Sequence, residues 1–511
     1  MRGRLTMAAA RGVTWFGLAQ VVNQGLRFVA MIVLARLLLP EYFGVVAAAA
    51  IVAELAMDAI GLGFGEAIIQ RKEVTTSHLS TSFWTGLMLG AAFCIVVVLV
   101  APFVADLFGD ERVCPVLRVM SVCFLLAPLR SVHGSLLRKR LEFFKFSIGE
   151  MAQGLAYVIT ATVVAFVTRD YWSLVFASVA SQIAMIVARW ALCRWWPSLT
   201  FSVDSLRDLW GFGSRVTATR LVQFAAERLD QLIIGIWLST TTLGFYYFAH
   251  KIASYPASGL LMSVSRVAFP TFSKVQDEDE RLRRGFTKSV VYVSVIVFPM
   301  FAGLALVAPE LVRLVYGQQW IPAILPLQIL CIMTAIAAIS VTVAPLFRAK
   351  GRPDIELKLI LVRLAIMLPC LLVSVQFGLA GVAIGVSSVV GIMWLVRQTY
   401  ANRLVGLKMR DYARSLYPAV LGALVMSLLL VAYRSAASAL GIPDIGLLAS
   451  SVVLGAVAYF AVLKMLRVQA LNEMIGLALS VVGPYSNAAR TKISSYARRV
   501  ARMGATPRTQ E

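Results

Sequence analysis

The sequence is short of charge. Only 14% of its 511 residues are Asp, Glu, Lys or Arg, where a soluble protein carries about 25%. That scarcity, with a mean hydropathy of +0.80, excludes a string of soluble domains. Strand-length alternation of apolar and polar residues is missing as well, which argues against an outer-membrane barrel. No loop is long enough for a separate soluble domain. A membrane enzyme would need a large loop carrying catalytic residues, and neither triad spacing nor a metal-binding carboxylate motif is present. The chain reads as a non-enzyme. The three histidines (His78, His133, His250) form no motif. The six cysteines (Cys94, Cys114, Cys123, Cys193, Cys331, Cys370) are scattered, five of them in or beside apolar runs, without redox or metal spacing. No metal and no cofactor is expected. Acids are scarcer than bases, 26 against 48, for a net charge of +22. The excess does not indicate a nucleic-acid partner, because the basic residues sit in short loops between apolar runs, which is a topology signal.

What the chain has is apolar runs of about 20 residues, the length of a membrane-crossing helix. Fourteen candidate spans can be drawn, at roughly 12–36, 42–69, 82–105, 114–136, 145–167, 171–193, 209–238, 242–270, 287–308, 321–347, 356–376, 378–400, 413–433 and 444–465. The expected fold is an all-α polytopic membrane protein. One set of loops holds "RGR" (2–4), "RK" (71–72), "RKR" (138–140), "KVQDEDERLRR" (274–284), "RAKGR" (348–352) and "KMR" (408–410); the alternate set is nearly free of Lys and Arg. By the positive-inside rule both termini are cytoplasmic, which requires an even number of spans. The N-terminus reads as a retained first helix rather than a cleaved leader. The tail, 467–511, is basic and weakly amphipathic, and suits either an anionic lipid surface or solvent.

An internal repeat organises the spans. Residues 19–49 can be laid on 219–249, so that Gln20 falls on Arg220, Arg27 on Glu227 and Gly44 on Gly244. The division expected is two six-helix lobes, 1–200 and 205–400, then a helix pair at 410–466 and the basic tail. A parallel repeat of this kind is a transporter architecture, with the substrate path between lobes. Charges inside the spans agree. The segment "RLVQFAAERLDQLIIGIWL" (220–238) carries Arg220, Glu227, Arg228 and Asp230, and a charge at the centre of a lone spanning helix costs about 2.5–3.5 kcal/mol. Gln20, Asn23 and Arg27 share one helix face, and Arg220, Gln223, Glu227 and Asp230 share the matching face; Glu54 and Asp58 are i, i+4. Such groups usually face a bundle interior or a water-filled cavity. Arg27 and Arg220 suit an anionic group held in bidentate geometry, with Asn23, Gln20, Gln223 and Arg228 beside them as substrate contacts; Arg215, Lys251 and Arg266 are weaker candidates. Asp58, Glu54, Glu227 and Asp230 are candidates for ion coupling. Trp15, Tyr246, Tyr247 and Tyr255 could stack on sugars or simply pack. Arg266 falls opposite Glu66 in the repeat and is a candidate gate pair with it. Pro256, Pro270 and Pro345 and the Gly61/Gly63/Gly65 run are candidate kinks.

The run "LDQLIIGIWLSTTTLGFYYFAHKIASYPASGLLMSVSRVAFPTFSKVQDEDERLRRGF" (229–286) resembles the polysaccharide-transporter branch of the multidrug/oligosaccharidyl-lipid/polysaccharide (MOP) flippase superfamily. "LARLLLPEYFGVVAAA" (34–49), "GLGFGEAIIQRKEVT" (61–75), "LVYGQQWIPAILPLQIL" (314–330) and "FRAKGRPDIELK" (347–358) extend the resemblance over residues 10–400, nearest to Wzx-type exporters of the colanic-acid and exopolysaccharide kind. The resemblance implies an inner-membrane flippase that moves a polyprenyl-diphosphate-linked oligosaccharide from the cytoplasmic to the periplasmic leaflet, for exopolysaccharide, capsule or O-antigen (lipopolysaccharide) synthesis. It implies alternating access, a cationic central cavity and coupling to an ion gradient. Membrane lipids surround the protein, and polymerase and chain-length or export proteins are its candidate partners. The alternatives within the superfamily are a lipid II flippase and a multidrug exporter.

Overall fold

The computed structural model describes residues 22–440, 443–468 and 473. Every described secondary-structure element is helical: α1 (22–37), α2 (Pro40–Ile60), α3 (Phe64–Gln70), α4 (Thr76–Phe108), α5 (Val113–Met120), α6 (Val122–Lys139), α7 (Phe143–Thr168), α8 (Trp172–Leu192), α9 (Val203–Trp237), α10 (Thr240–Lys274), α11 (Asp279–Leu311), α12 (Ile324–Ile339), α13 (Val343–Ala349), α14 (Pro353–Ser374), α15 (Gly378–Leu404), α16 (Met409–Ala439) and α17 (Asp444–Met465). Local sequence sets the boundaries. Pro40 opens α2 where no backbone N–H is needed. Thr75 and His78 form a capping box on α4, which stops at Gly109 with φ 63°. Ser202 and Ser239 cap the long helices α9 and α10 through their side chains.

The expected breaks are only partly where proline suggested them. Leu62 and Gly63 both take left-handed backbone, φ 42° and 59°, and divide the second apolar run into α2 and α3. A methyl on Gly63 would lie 2.6 Å from the Gly213 carbonyl, so glycine serves both the turn and a close approach to α9. Pro345 follows the break between α12 and α13, whereas Pro256 and Pro270 lie within α10 without ending it.

Ten of the described segments are long and apolar enough to cross a membrane. One of them, Pro353–Leu404, contains the two helices α14 and α15. Helices α9 and α10 are not among the ten; at 35 residues each they are long enough, but too polar. The outward faces of the apolar helices are bare, as lipid contact requires: Leu99 is 72% and Val167 81% exposed. Helices α16 and α17 pack on α11 through Val295, Ala419, Met426, Leu430, Tyr459 and Leu463, away from the polar cavity described below.

The two halves of the chain meet most closely where α2 crosses α10. A methyl on Gly44 would run into the Thr240 carbonyl and come within 3.0 Å of the Gly244 nitrogen; one on Gly244 would run into the Pro40 carbonyl and come within 3.1 Å of the Gly44 nitrogen. Residue 44 meets 240 and residue 244 meets 40, a reciprocal contact of the kind a two-fold relation produces. The crossing lies at the charge-poor end of the bundle, opposite the basic loops.

Candidate functional site

Beyond this crossing, α2, α5, α6, α8 and α9 enclose a cavity of about 550 Å³. Glu54, Met57 and Asp58 come from one face of α2; Arg220, Gln223, Glu227 and Arg228 repeat at helical spacing on α9; Cys123 and Phe124 come from α6, and Ser178 and Gln182 from α8. Two ion pairs join the halves across it: Arg228 to Glu54 at 2.9 Å and Arg220 to Glu66 at 2.7 Å. Gln223 donates to Glu227 at 2.9 Å. Asp58 makes no ion pair among the described residues and lies within the field of Arg220, Glu54 and Glu227.

Six of the ten residues picked from the sequence therefore line one cavity: Arg220, Gln223, Arg228, Glu54, Asp58 and Glu227. The others separate. Asn23 is 6% exposed and donates to the Glu150 carbonyl at 3.3 Å, seated against Gly154. Arg27 lies near Tyr157 and Tyr255 with its Nε unpartnered, outside the cavity lining. Asp230 is buried under Tyr246, whose hydroxyl donates to it at 2.6 Å, so that tyrosine is a packing residue. Gln20 and Trp15 lie outside the described residues. Glu66 pairs with Arg220 and not with Arg266. Lys251 sits 5.1 Å from the Tyr247 ring.

The charge balance differs from what the resemblance implies. The cavity lining holds three carboxylates (Glu54, Asp58, Glu227) against two guanidiniums (Arg220, Arg228). Further arginines lie to its sides, together with carboxylates: Asp58, Glu66 and Glu150 on one side, Glu227 and Glu356 on the other. A chamber of 380 Å³ in the first half holds Arg130, Arg138 and Arg189, and one of 190 Å³ in the second half holds Arg363 and Arg397. Each contains a matched pair, Arg189–Glu150 at 2.8 Å and Arg397–Glu356 at 3.2 Å, about two hundred residues apart in the chain. The sequence reading missed these arginines. Their signal was available: each is a charge inside or beside an apolar run, and such a charge is functional by default.

At the charge-poor end the halves are tied together. Arg36 donates to the carbonyls of Leu314 and Val315. Gln319 Nε2 and Trp320 Nε1 both donate to the Ala35 carbonyl at 2.9 Å. The Thr240 hydroxyl donates to Asp110 at 2.7 Å, and Arg112 holds both Asp110 and Glu41 at 3.0 Å. Asp110 stands in the loop after α4. Burial pushes its carboxyl up, and the hydrogen bonds from Arg112 and Thr240 outweigh it, so its pKa lies below the ordinary value.

Residues 33–326 match the family model described as "Polysaccharide biosynthesis protein". The chain is 30% identical over 381 residues to the lipopolysaccharide biosynthesis protein WzxC of Escherichia coli (strain K12), covering 73% of this chain and 77% of the relative. It is 28% identical over 298 residues to the teichuronic acid biosynthesis protein TuaB of Bacillus subtilis (strain 168), covering 58% and 62%. In fold it is similar to the lipid II flippase MurJ in an inward closed conformation, with a TM-score of 0.71 at 13% identity over 88% of this chain and 98% of that one. Two helical halves, a polar cavity between them and these likenesses meet in one conclusion: the chain belongs to the polysaccharide biosynthesis protein family, among relatives of the Wzx type, and has the fold of the MOP transporters.

Proposed function

We propose that the protein carries a polyprenyl-diphosphate-linked oligosaccharide across the inner membrane, from the cytoplasmic to the periplasmic leaflet, by alternating access. The observation that carries this reading is the 550 Å³ cavity whose charged walls come from both halves and whose charge-poor end is shut. A sugar head group cannot cross hydrocarbon unaided, because each hydroxyl buried without a partner costs on the order of 2–7 kcal/mol. A polar path through protein removes that cost while the lipid tail stays in the bilayer.

In this reading the lobes are 1–200 and 205–400, the helix pair 410–466 is an addition, and fourteen spans result from adding α1, α9 and α10 and dividing α14 from α15. The basic loops and both termini are cytoplasmic, so the α2–α10 crossing faces the periplasm. Arg220, in the cavity wall, is the diphosphate contact, exchanging Glu66 for the cargo. Asp58, unpaired in the cavity, leads the ion-coupling candidates. The polymerase and export proteins take over after release.

Deleting the gene tests this. Surface polysaccharide should disappear while lipid-linked repeat unit accumulates on the cytoplasmic side, and wild type should rescue where membrane-inserted Arg220→Ala does not. An intact glycan with no lipid-linked intermediate would reject the cargo; full rescue by Arg220→Ala would reject only the contact.

A further inference from the structure

The 380 Å³ chamber shares Met57, Asp58 and Arg220 with the central cavity and extends past Gly65 and Arg138 on α6, toward the basic end. Two of its arginines differ in how they are satisfied. Arg189 is 4% exposed and well held: it donates to Glu150 at 2.8 Å and to the Arg130 carbonyl at 3.0 Å, and lies 5.0 Å over the Phe146 ring. Gly134 leaves it room, since a methyl there would stand 2.6 Å from its Nη1. Arg130 is not held in this way. The Nε of both arginines lacks a partner, but the Arg130 guanidinium donates only to the Met185 sulfur, at 3.7 Å, and forms no ion pair among the described residues. The carboxylate that acts on it, Glu150, is already engaged by Arg189.

Arg130 is part-buried at the chamber wall, and a part-buried guanidinium with no carboxylate calls for a partner. A second unsatisfied donor lies behind the chamber wall, against Gly65, which lines it. The Ser135 hydroxyl is buried and has no hydrogen-bond partner. Gly65 keeps the space in front of it open: a methyl there would stand 2.9 Å from Ser135 Oγ, 3.8 Å from Arg138 Nη2 and 3.9 Å from Ser131 Oγ. Residues 131, 135 and 138 are i, i+4 and i+7 on α6, one face. Two hydroxyls and a guanidinium thus gather at Gly65, where there is no room for a side chain, and Arg130 lines the same chamber. The chamber lining holds four guanidiniums against three carboxylates (Asp58, Glu66, Glu150), and with Arg189 and Arg220 paired, Arg130 and Arg138 are the two that have no carboxylate among the described residues.

We propose that the chamber is an oxyanion subsite, in which Arg130 and Arg138 with the Ser131 hydroxyl, and the Ser135 hydroxyl behind Gly65, hold a phosphate or carboxylate group of the cargo on the chamber side of Gly65. The proposal rests on the transport reading above. The oxyanion has two sources, the diphosphate of the lipid carrier or an acidic sugar of the glycan.

The test uses the full chain in phosphatidylcholine nanodiscs, which add no competing anionic lipid. Four probes are titrated by calorimetry: the lipid-linked repeat unit, undecaprenyl diphosphate, a uronate-bearing oligosaccharide without lipid, and its carboxyl-reduced form. Arg130→Gln should weaken undecaprenyl diphosphate or the uronate at least tenfold, Gly65→Ala and Ser135→Ala should weaken the same probe, and the carboxyl-reduced sugar should not respond. Loss on the diphosphate assigns the lipid, and loss on the uronate assigns the glycan. If Arg130→Gln melts far below wild type, the other two variants decide. Wild-type affinity for both anions in the folded variants overturns the subsite and leaves the flippase reading intact. If wild type binds none of the four probes, including the lipid-linked repeat unit, both fall.

Discussion

At the charge-poor end α2 and α10 cross with Gly44 and Gly244 back to back, and Arg36, Gln319 and Trp320 reach across to backbone carbonyls. Further in, and toward the basic end, the halves are joined by side-chain ion pairs: Arg228–Glu54, Arg220–Glu66 and Arg71–Asp208, all within 2.9 Å, with one close backbone approach at Gly63. The carboxylates of those pairs are 32–49% exposed, so each pair contributes at most about 1 kcal/mol. Backbone interlock is cooperative, because neither helix can shift without losing the whole crossing. Exposed ion pairs are exchangeable one at a time, and a guanidinium released from a carboxylate is ready for another anion. In the proposed transport cycle the charge-poor end serves as a stop, and the basic side as a surface that trades partners.

Breaking the stop should have the largest effect. Gly244→Val places two methyls where the Pro40 carbonyl already stands. Overpacking costs about 1–3 kcal/mol, which shifts the closed–open balance roughly 5- to 150-fold. Ala49, fully buried here, reports it: in an Ala49→Cys background, labelling by a membrane-impermeant maleimide should rise at least fivefold and polysaccharide export should fail. Unchanged labelling would mean that the crossing is not the barrier.

Reversing one ion pair should cost less and be repairable. Arg228→Glu sets a fourth carboxylate into the cavity lining beside Glu54 and should cut export several-fold. Adding Glu54→Arg should restore most of it, since the pair is rebuilt in the opposite sense. A double variant no better than the single one would show that Arg228 acts on something other than Glu54.

Much of this was legible in the sequence because membranes penalise charge. The apolar runs could be drawn from hydropathy, and each candidate run within the described residues contains helix. The α9 stripe was readable because Arg220, Gln223 and Glu227 recur at helical spacing in an otherwise apolar segment. What periodicity could not supply is which neighbour a face meets. Asn23 shares a face with Arg27 yet is spent on the Glu150 carbonyl, and Asp230 extends the α9 stripe yet is covered by Tyr246. Arg130 and Arg189 were passed over as single charges in apolar runs; only the packing of α6, α7 and α8 brings them into one chamber. The Gly44–Gly244 correspondence was visible as a two-hundred-residue offset, but not that the two glycines touch.

The Thr240–Asp110 bond offers a finer probe of the stop. Thr240→Val keeps the shape and removes the 2.7 Å bond, worth about 1 kcal/mol, so Ala49→Cys labelling should rise by roughly fivefold at most. Thr240→Ser should leave it at the wild-type level. Equal labelling in all three would place the closure in the helix crossing alone.

Acidity gives the smallest expected effect, and the sign can be worked out. Hydrogen bonds from Arg112 and Thr240 hold the Asp110 carboxyl below its ordinary value despite burial, and the Arg112 guanidinium is in turn raised by its bonds to Asp110 and Glu41. A depressed carboxylate stabilises the structure that holds it at every pH above its free value, about 3.9, and that contribution is lost only as pH falls through the depressed value. The closure should therefore be flat between about pH 5 and 8, a window in which Asp110 stays ionised and Arg112 stays protonated. Ala49→Cys labelling, normalised at each pH to the Gly244→Val protein to remove the thiol's own titration, should change less than twofold across that window. A larger change would show that the stop responds to protons, and would move the origin of pH dependence from the cavity carboxylates to the Asp110–Arg112 joint. A flat profile together with pH-dependent export would place the origin of that dependence away from the Asp110–Arg112 joint, on the exchangeable side of the comparison.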